Sequence, residues 1–159
     1  MANEPAVRSA TREDLPLLKA FEQGIITAER PYDHTLKPDP ISYYDLGELI
    51  DSDEAEVAVV ELDGQIVASG YAKKKLSHPY LRDEYHAFLG FMFVVPEARG
   101  RGLNQRLVDH LLGWARAKGL REVHLTVYPG NDAAIRAYEK AGFRPYITEM
   151  RLNLDEQTQ

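Results

Sequence analysis

Two stretches of this 159-residue chain carry residue types that could do chemistry together. The first, FMFVVPEARGRGLNQRL, sets Gly100 and Gly102 among Arg99, Arg101 and Arg106, just where an apolar run gives way to a helical pattern. Glycines at such a turn remove Cβ atoms, so successive backbone N–H groups can converge on an anion, and the helix dipole adds partial positive charge. A phosphate or pyrophosphate is the natural ligand of that arrangement. No Gly-Lys-Ser/Thr is present, which excludes a Walker loop, and Gln105 stands where a dinucleotide-binding fingerprint needs another small residue. Taken alone, the loop is equally a plain start to a helix. The second stretch, NDAAIRAYEKAGF, opens on Asn131, a good helix cap, carries Tyr138 seven residues on, and closes at Gly142-Phe143. A tyrosine on an apolar helix face is more often core than catalyst, so Tyr138 gains a role only from its context.

Charge supports an anion site in the middle of the chain and a cation site before it. Residues 1–62 hold fourteen acids and five bases, whereas residues 99–121 hold six bases (Arg99, Arg101, Arg106, Arg116, Lys118, Arg121) against Asp109 alone. The whole chain carries a net charge of −6, so it lacks the positive field that nucleic-acid binding requires. There is no cysteine, which excludes a disulfide scaffold, a thiolate metal site and a Cys nucleophile. His34, His78, His110 and His124 lack the paired spacing of metal ligands, so no metal is expected. No run approaches the roughly 20 apolar residues of a membrane span, and the Met-Ala-Asn-Glu-Pro start has no signal-peptide core, so no membrane partner and a cytoplasmic location are expected.

Elements must position these residues. Residues 5–10 read as a strand, and Thr11 with Asp14 as a capping-box start for a helix through Leu15, Leu18, Phe21 and Ile25. Residues 30–39 form a polar loop, and Asp39-Pro40 predicts a second helix from Pro40 to about Ile50. Asp63-Gly64 marks a hairpin between strands at 57–62 and 65–73. The apolar run 86–95 reads as a buried strand that ends at Pro96. Leu103, Leu107, Leu111 and Trp114 line one helix face up to Gly119. A strand at 122–127, the helix from Asn131 and a last β segment at 147–154 complete the order β-α-α-β-β-β-α-β-α-β. One α/β domain over residues 1–159 is expected, with a mixed sheet covered by helices on both faces.

From FVVPEARGRG to NDAAIRAYEKAGF, roughly Gln65 to Phe143, the chain strongly resembles the GNAT superfamily of acyl-CoA-dependent N-acetyltransferases. The family's loop pattern, Gln or Arg, two residues, Gly, one residue, then Gly or Ala, falls on Arg99, Gly100, Arg101, Gly102, Leu103 and Asn104; Asn104 departs from it. The resemblance implies a GNAT fold with a central sheet of six to seven strands and acetyl-CoA as acyl donor. It implies that the backbone of Phe93, Val94 and Val95 pairs with the pantetheine arm, in a gap left where strand 123–127 splays away, while the loop amides hold the pyrophosphate. It places Asn131 and Ala134 with the cofactor residues, and points the Tyr138 hydroxyl at the sulfur as general acid.

Acetyl transfer to an amine also needs a base. Histone-type members carry a Glu on the strand before the loop, and counting back from Arg99 places Phe88 there. His86, two residues earlier, and Glu84 could act instead through water. The acidic first third would hold a cationic acceptor, with Glu29, Tyr32, Asp33 and His34 as the acceptor-loop candidates. The expectation is acetyl transfer to a primary amine of a small molecule in a ternary complex. Protein N-termini or lysines as acceptors, and an acyl-CoA sensor without turnover, are the alternatives. Segment 147–154 could supply an edge for a homodimer or could equally cover its own core, so both readings stay open.

Overall fold

The computed structural model describes residues 4–156. After β1 (Ala6–Ser9), the Thr11 amide donates to the Asp14 carboxylate at 2.8 Å, the expected reciprocal cap, and a 3-10 turn leads into α1 (Leu15–Glu29). Leu18, Phe21, Ile25 and Ile26 form the buried stripe of α1. One carboxylate lies on that stripe. Glu22, only 3% exposed, accepts the amides of Tyr43 at 2.6 Å and Tyr44 at 2.8 Å and the Ser42 hydroxyl at 3.1 Å.

Those bonds hold residues 42–44 out of a helix, because an amide given to Glu22 is no longer free for a helical carbonyl. The helix expected from Pro40 therefore starts six residues later. It is α2 (Leu46–Asp51), capped by Asp45, whose carboxylate accepts from the Glu48 amide at 3.1 Å. The Asp39–Pro40 peptide is cis.

The hairpin between β2 (Ala55–Leu62) and β3 (Gln65–Leu76) turns at Asp63-Gly64, both with positive φ, as expected of that pair. Next come β4 (Tyr85–Val94), α3 (Leu103–Ala117), β5 (Val123–His124) and α4 (Asp132–Lys140). The sheet order is β1-β2-β3-β4-β5, antiparallel except for the parallel pair β4 and β5. Helices cover both faces. Leu18, Phe21 and Leu46 pack with Val57, Val59, Tyr71 and Phe91 on one side. On the other, Leu103, Leu107 and Leu111 pack with Ala58, Val60, Ala72 and Leu89. Each large apolar side chain so buried contributes about 1.5–3 kcal/mol.

The mixed sheet has five strands among the described residues rather than six to seven. β5 is two residues long instead of six, and residues 147–154 carry no strand. Ile147, Met150 and Leu152 are 85%, 89% and 74% exposed. Alternation of apolar and polar residues produces a strand only against an edge that pairs with it, and the short β5 presents almost none. The last β segment expected at 147–154, a candidate dimer edge or core cover, is therefore not a strand. No helix among the described residues is long and apolar enough to cross a membrane.

Candidate active site

The site is organised by a break in the sheet. β4 and β5 pair only at Ala87 with Val123 and Phe88 with His124. Beyond Phe88, β4 continues to Val94 against β3 alone, and its register with β3 slips between Ser69 and Tyr71. At the slip Phe91 has a φ of 60°, a left-handed conformation costly for an aromatic residue, and its carbonyl accepts the buried Ser69 hydroxyl at 3.2 Å. A bulge of this kind bends the strand, so it carries β4 away from the short β5. The Val95 amide bonds to Val67 at 2.9 Å on the β3 side. By the alternation of a ladder, the amide and carbonyl of Val94 face the gap, where Arg99 Nε donates to that carbonyl at 3.0 Å.

Below this edge lies the glycine loop. Gly100 and Gly102 have φ of +79° and +75°, and a Cβ built on either meets nothing within 4 Å, so the cradle is open to a ligand. Gly102 caps α3 without a side-chain hydrogen bond, which leaves first-turn amides such as those of Leu103 and Asn104 for an external acceptor. Arg101 and Arg106 are exposed beside them, the latter 3.4 Å from Glu4. The donor set, consisting of open amides, a helix N-terminus and guanidinium groups, fits a pyrophosphate, and the unpaired edge of β4 fits an extended amide chain such as pantetheine.

Across the gap, the Asn131 side chain accepts from the Ala134 amide at 3.3 Å and starts α4. Tyr138 sits half-buried with its ring edge-on to Phe143. Burial, and secondarily the charge of Glu29, push its hydroxyl up to about 12, so it holds its proton throughout the neutral range.

The acceptor-loop candidates fall on one side of this gap. Asp33 accepts from the Thr35 hydroxyl and amide and from the Tyr128 hydroxyl at 2.7 Å, and these bonds lower it to about 2. Tyr32 stacks on Tyr128 with ring centres 5.9 Å apart. His34 is exposed, 3.6 Å from Glu156. Glu29, the last residue of α1, is raised, chiefly by burial, with Asp33 adding to the shift and Tyr43 opposing it.

The base candidates stand elsewhere. His86 is 7% exposed; its Nδ1 lies 2.9 Å from the Ser77 hydroxyl and its ring stacks on His124 at 3.9 Å. It is five residues before Phe91, about 17 Å along the strand. Glu84 is exposed just before β4, its carbonyl accepting from the Ser77 amide. Neither is among the groups that act on Tyr138, whereas Glu29 is.

Sequence reasoning missed Tyr43, Tyr44, Tyr128 and Glu22. Tyr44 lies edge-on to Phe91 at 5.5 Å, and burial raises its hydroxyl while the Phe91 backbone opposes the shift. The Tyr43 hydroxyl is buried beside Glu29 without a partner in ordinary hydrogen-bond geometry. The one available signal was Glu22 itself, a carboxylate on an otherwise apolar helical stripe.

Comparison with known proteins agrees with this geometry. The acetyltransferase (GNAT) family model matches residues 21–143. An aminoglycoside N(6')-acetyltransferase type 1 from Salmonella typhimurium is 28% identical over 109 residues, 67% of this chain and 74% of its own. A predicted acetyltransferase from Clostridium acetobutylicum, solved with acetyl-CoA, superposes with a TM-score of 0.72 at 18% identity, covering 98% of this chain and 100% of that one. AAC(6')-Iy in complex with the bisubstrate analogue CoA-S-monomethyl-acetylneamine gives 0.73 at 18% identity, over 95% and 99% of the two chains. With a splayed β4 and β5, a glycine cradle at the head of α3 and a family match over most of its length, this chain belongs to the GNAT family of acetyltransferases, whose acyl donor is acetyl-CoA.

Proposed function

We propose that this protein transfers the acetyl group of acetyl-CoA to a primary amine of a small molecule within a ternary complex. The observation that carries the reading is the pairing of acids and phenols at the open gap: Glu29 and Asp33 with Tyr43, Tyr128 and Tyr138. Such a site favours a cationic acceptor and disfavours a carboxylate-rich one. The complex of AAC(6')-Iy with its acetylneamine analogue supports a small amine as the acceptor class.

The donor supplies a thioester whose carbonyl carbon is open to attack. Backbone amides of Gly100 to Asn104, with Arg101, hold the pyrophosphate, and the gap-facing edge of Phe93, Val94 and Val95 aligns the pantetheine, with Asn131 and Ala134 closing the other side. An amide on the Phe91 to Val95 strand meets the negative charge that develops on the carbonyl oxygen. Tyr138 holds a proton for the departing thiolate. Glu29, Tyr32, Asp33 and His34 receive the amine. Without cysteine in the chain, the acetyl group does not pass through a thiol of the protein.

Thiol release from acetyl-CoA, measured with polyamines, aminoglycosides, amino acids and short peptides, tests the reading. Turnover confined to small amines is expected. Reaction with peptides alone would replace it with protein acetylation, and silence with tight acetyl-CoA binding would replace it with a sensor.

A further inference from the structure

Along the unpaired part of β4 the side chains alternate between the two faces of the sheet. Met92 and Val94 pack with the core beneath α3, whereas Phe91 and Phe93 turn to the α1 face. Phe91 is 1% exposed and closed inside that core. Phe93 is only half-buried, yet its ring is firmly seated. It presses into a notch in α1 at Gly24, where an added Cβ would lie 2.8 and 2.9 Å from two ring carbons. It also leans on Phe21, one turn earlier in α1, with ring centres 4.9 Å apart. A phenyl ring fixed on one side by a helix backbone and open on the other is a preformed wall for an apolar group.

The order of the parts sets which end of the donor meets this ring. The glycine cradle follows β4, so a chain running from the cradle along the free edge passes Val95 and Val94 first and carries its acyl end toward the bulge at Phe91. Phe93 is the half-open aromatic side chain on that stretch, and it faces the side of the sheet on which α1 leads to the proposed acceptor loop.

We propose that the Phe93 ring, seated in the Gly24 notch, is the end wall of the acyl subsite and restricts the donor to short acyl groups such as acetyl. This rests on the placement of the donor proposed above. The ring turns about only two torsions, and α1 blocks its retreat, so the wall does not yield as a flexible side chain would. The methyl of an acetyl group packs against it. Each further methylene would gain from burial but needs volume that the ring already fills, and overpacking outweighs that gain. Gly24 acquires a role beyond its own helix, because a side chain there would drive the ring into the space the acyl group uses.

The test is the affinity of the full chain for free CoA, acetyl-CoA and butyryl-CoA, measured by calorimetric titration, which requires no amine. Wild type should prefer acetyl-CoA to butyryl-CoA by about tenfold or more, the scale on which an apolar pocket sorts methylenes. Phe93→Ala should erase that preference. Phe93→Leu, which keeps more of the packing should the alanine variant fail to fold, should reduce it. Taking the ratio within each variant cancels any general loss of affinity. Gly24→Ala should weaken acetyl-CoA relative to free CoA by at least about fivefold, the low end of an overpacking penalty. Adding Phe93→Leu to Gly24→Ala should restore the ratio. Alanine is the better helix former within α1, so the helix itself is not the source of that loss. A wild type that binds both acyl donors equally, or a preference that persists unchanged in both Phe93 variants, overturns the wall. A ratio of acetyl-CoA to CoA affinity untouched by Gly24→Ala overturns the notch. A wild type that binds none of the three compounds overturns the donor placement itself, and the wall with it.

Discussion

Tyr128 donates its hydroxyl to Asp33 across 2.7 Å, joining two positions 95 residues apart in the chain. The bond ties the loop before α4 to the turn after α1, and the stack of Tyr32 on Tyr128 braces the same junction. Two segments that would otherwise move independently become one wall beside the proposed acceptor site. Replacing Tyr128 with Phe keeps the stack and removes the bond. The KM for amine should then rise about threefold to tenfold, the scale of one hydrogen bond, with a smaller change in kcat. Initial rates at saturating acetyl-CoA measure this, and an unchanged KM would show that the junction does not shape the acceptor site.

Gly102 has a left-handed backbone and empty space where a side chain would project. Gly102→Ala meets only the backbone cost of that conformation, about 1–2 kcal/mol. Gly102→Asp adds a carboxylate at the place proposed for a pyrophosphate, so CoA affinity should fall at least about tenfold, or roughly 1.4 kcal/mol. A negative group near the head of a helix is otherwise tolerated, so the folded state should survive. Calorimetric titration with CoA separates the two variants; equal, undiminished affinity in both would place the anion elsewhere.

Tyr138 keeps its proton up to about pH 12, chiefly because it is buried and secondarily because of the charge of Glu29. Tyr138→Phe should leave CoA binding intact and reduce the single-turnover rate by about 10² or more, the usual share of a general acid. Full activity in this variant would reduce Tyr138 to packing.

His86 is pushed below its ordinary value of 6.5, first by burial and then by His124 and Lys75. In the window between its folded value and 6.5, the unfolded chain binds more protons than the folded one, so stability increases with pH there. Acidification from pH 7 should therefore lower the melting temperature, starting near 6.5 and continuing until the folded value is passed. Glu122 opposes the shift. His86→Gln should flatten this part of the melting curve against pH; a slope equal to wild type would assign it to another group.

Local signals were readable, and long-range ones were not. The row Leu103, Leu107, Leu111 and the pair Asp63-Gly64 specify their elements through neighbours a few residues away, and both are in place. The glycine loop was legible for the same reason. The helix expected from Pro40 was displaced by Glu22, some twenty residues earlier, which takes the amides of Tyr43 and Tyr44. Similarly, Tyr32, Asp33 and Tyr128 have no periodicity in common; only the turn after α1 meeting the loop before α4 brings them together. Residues 147–154 alternate like a strand, yet alternation describes a face and says nothing of a partner edge.

The two-residue pairing of β4 with β5 leaves most of one strand edge without a strand partner. A pantetheine amide chain seated there would act as a replaceable slat in the sheet, joining β4 to the half of the molecule that carries α4. Anything that binds only the folded state adds RT ln(1 + [L]/Kd) to its stability, about 2.7 kcal/mol at a hundredfold excess over Kd. The durability of the folded chain would then follow the supply of its own co-substrate, falling when CoA is scarce.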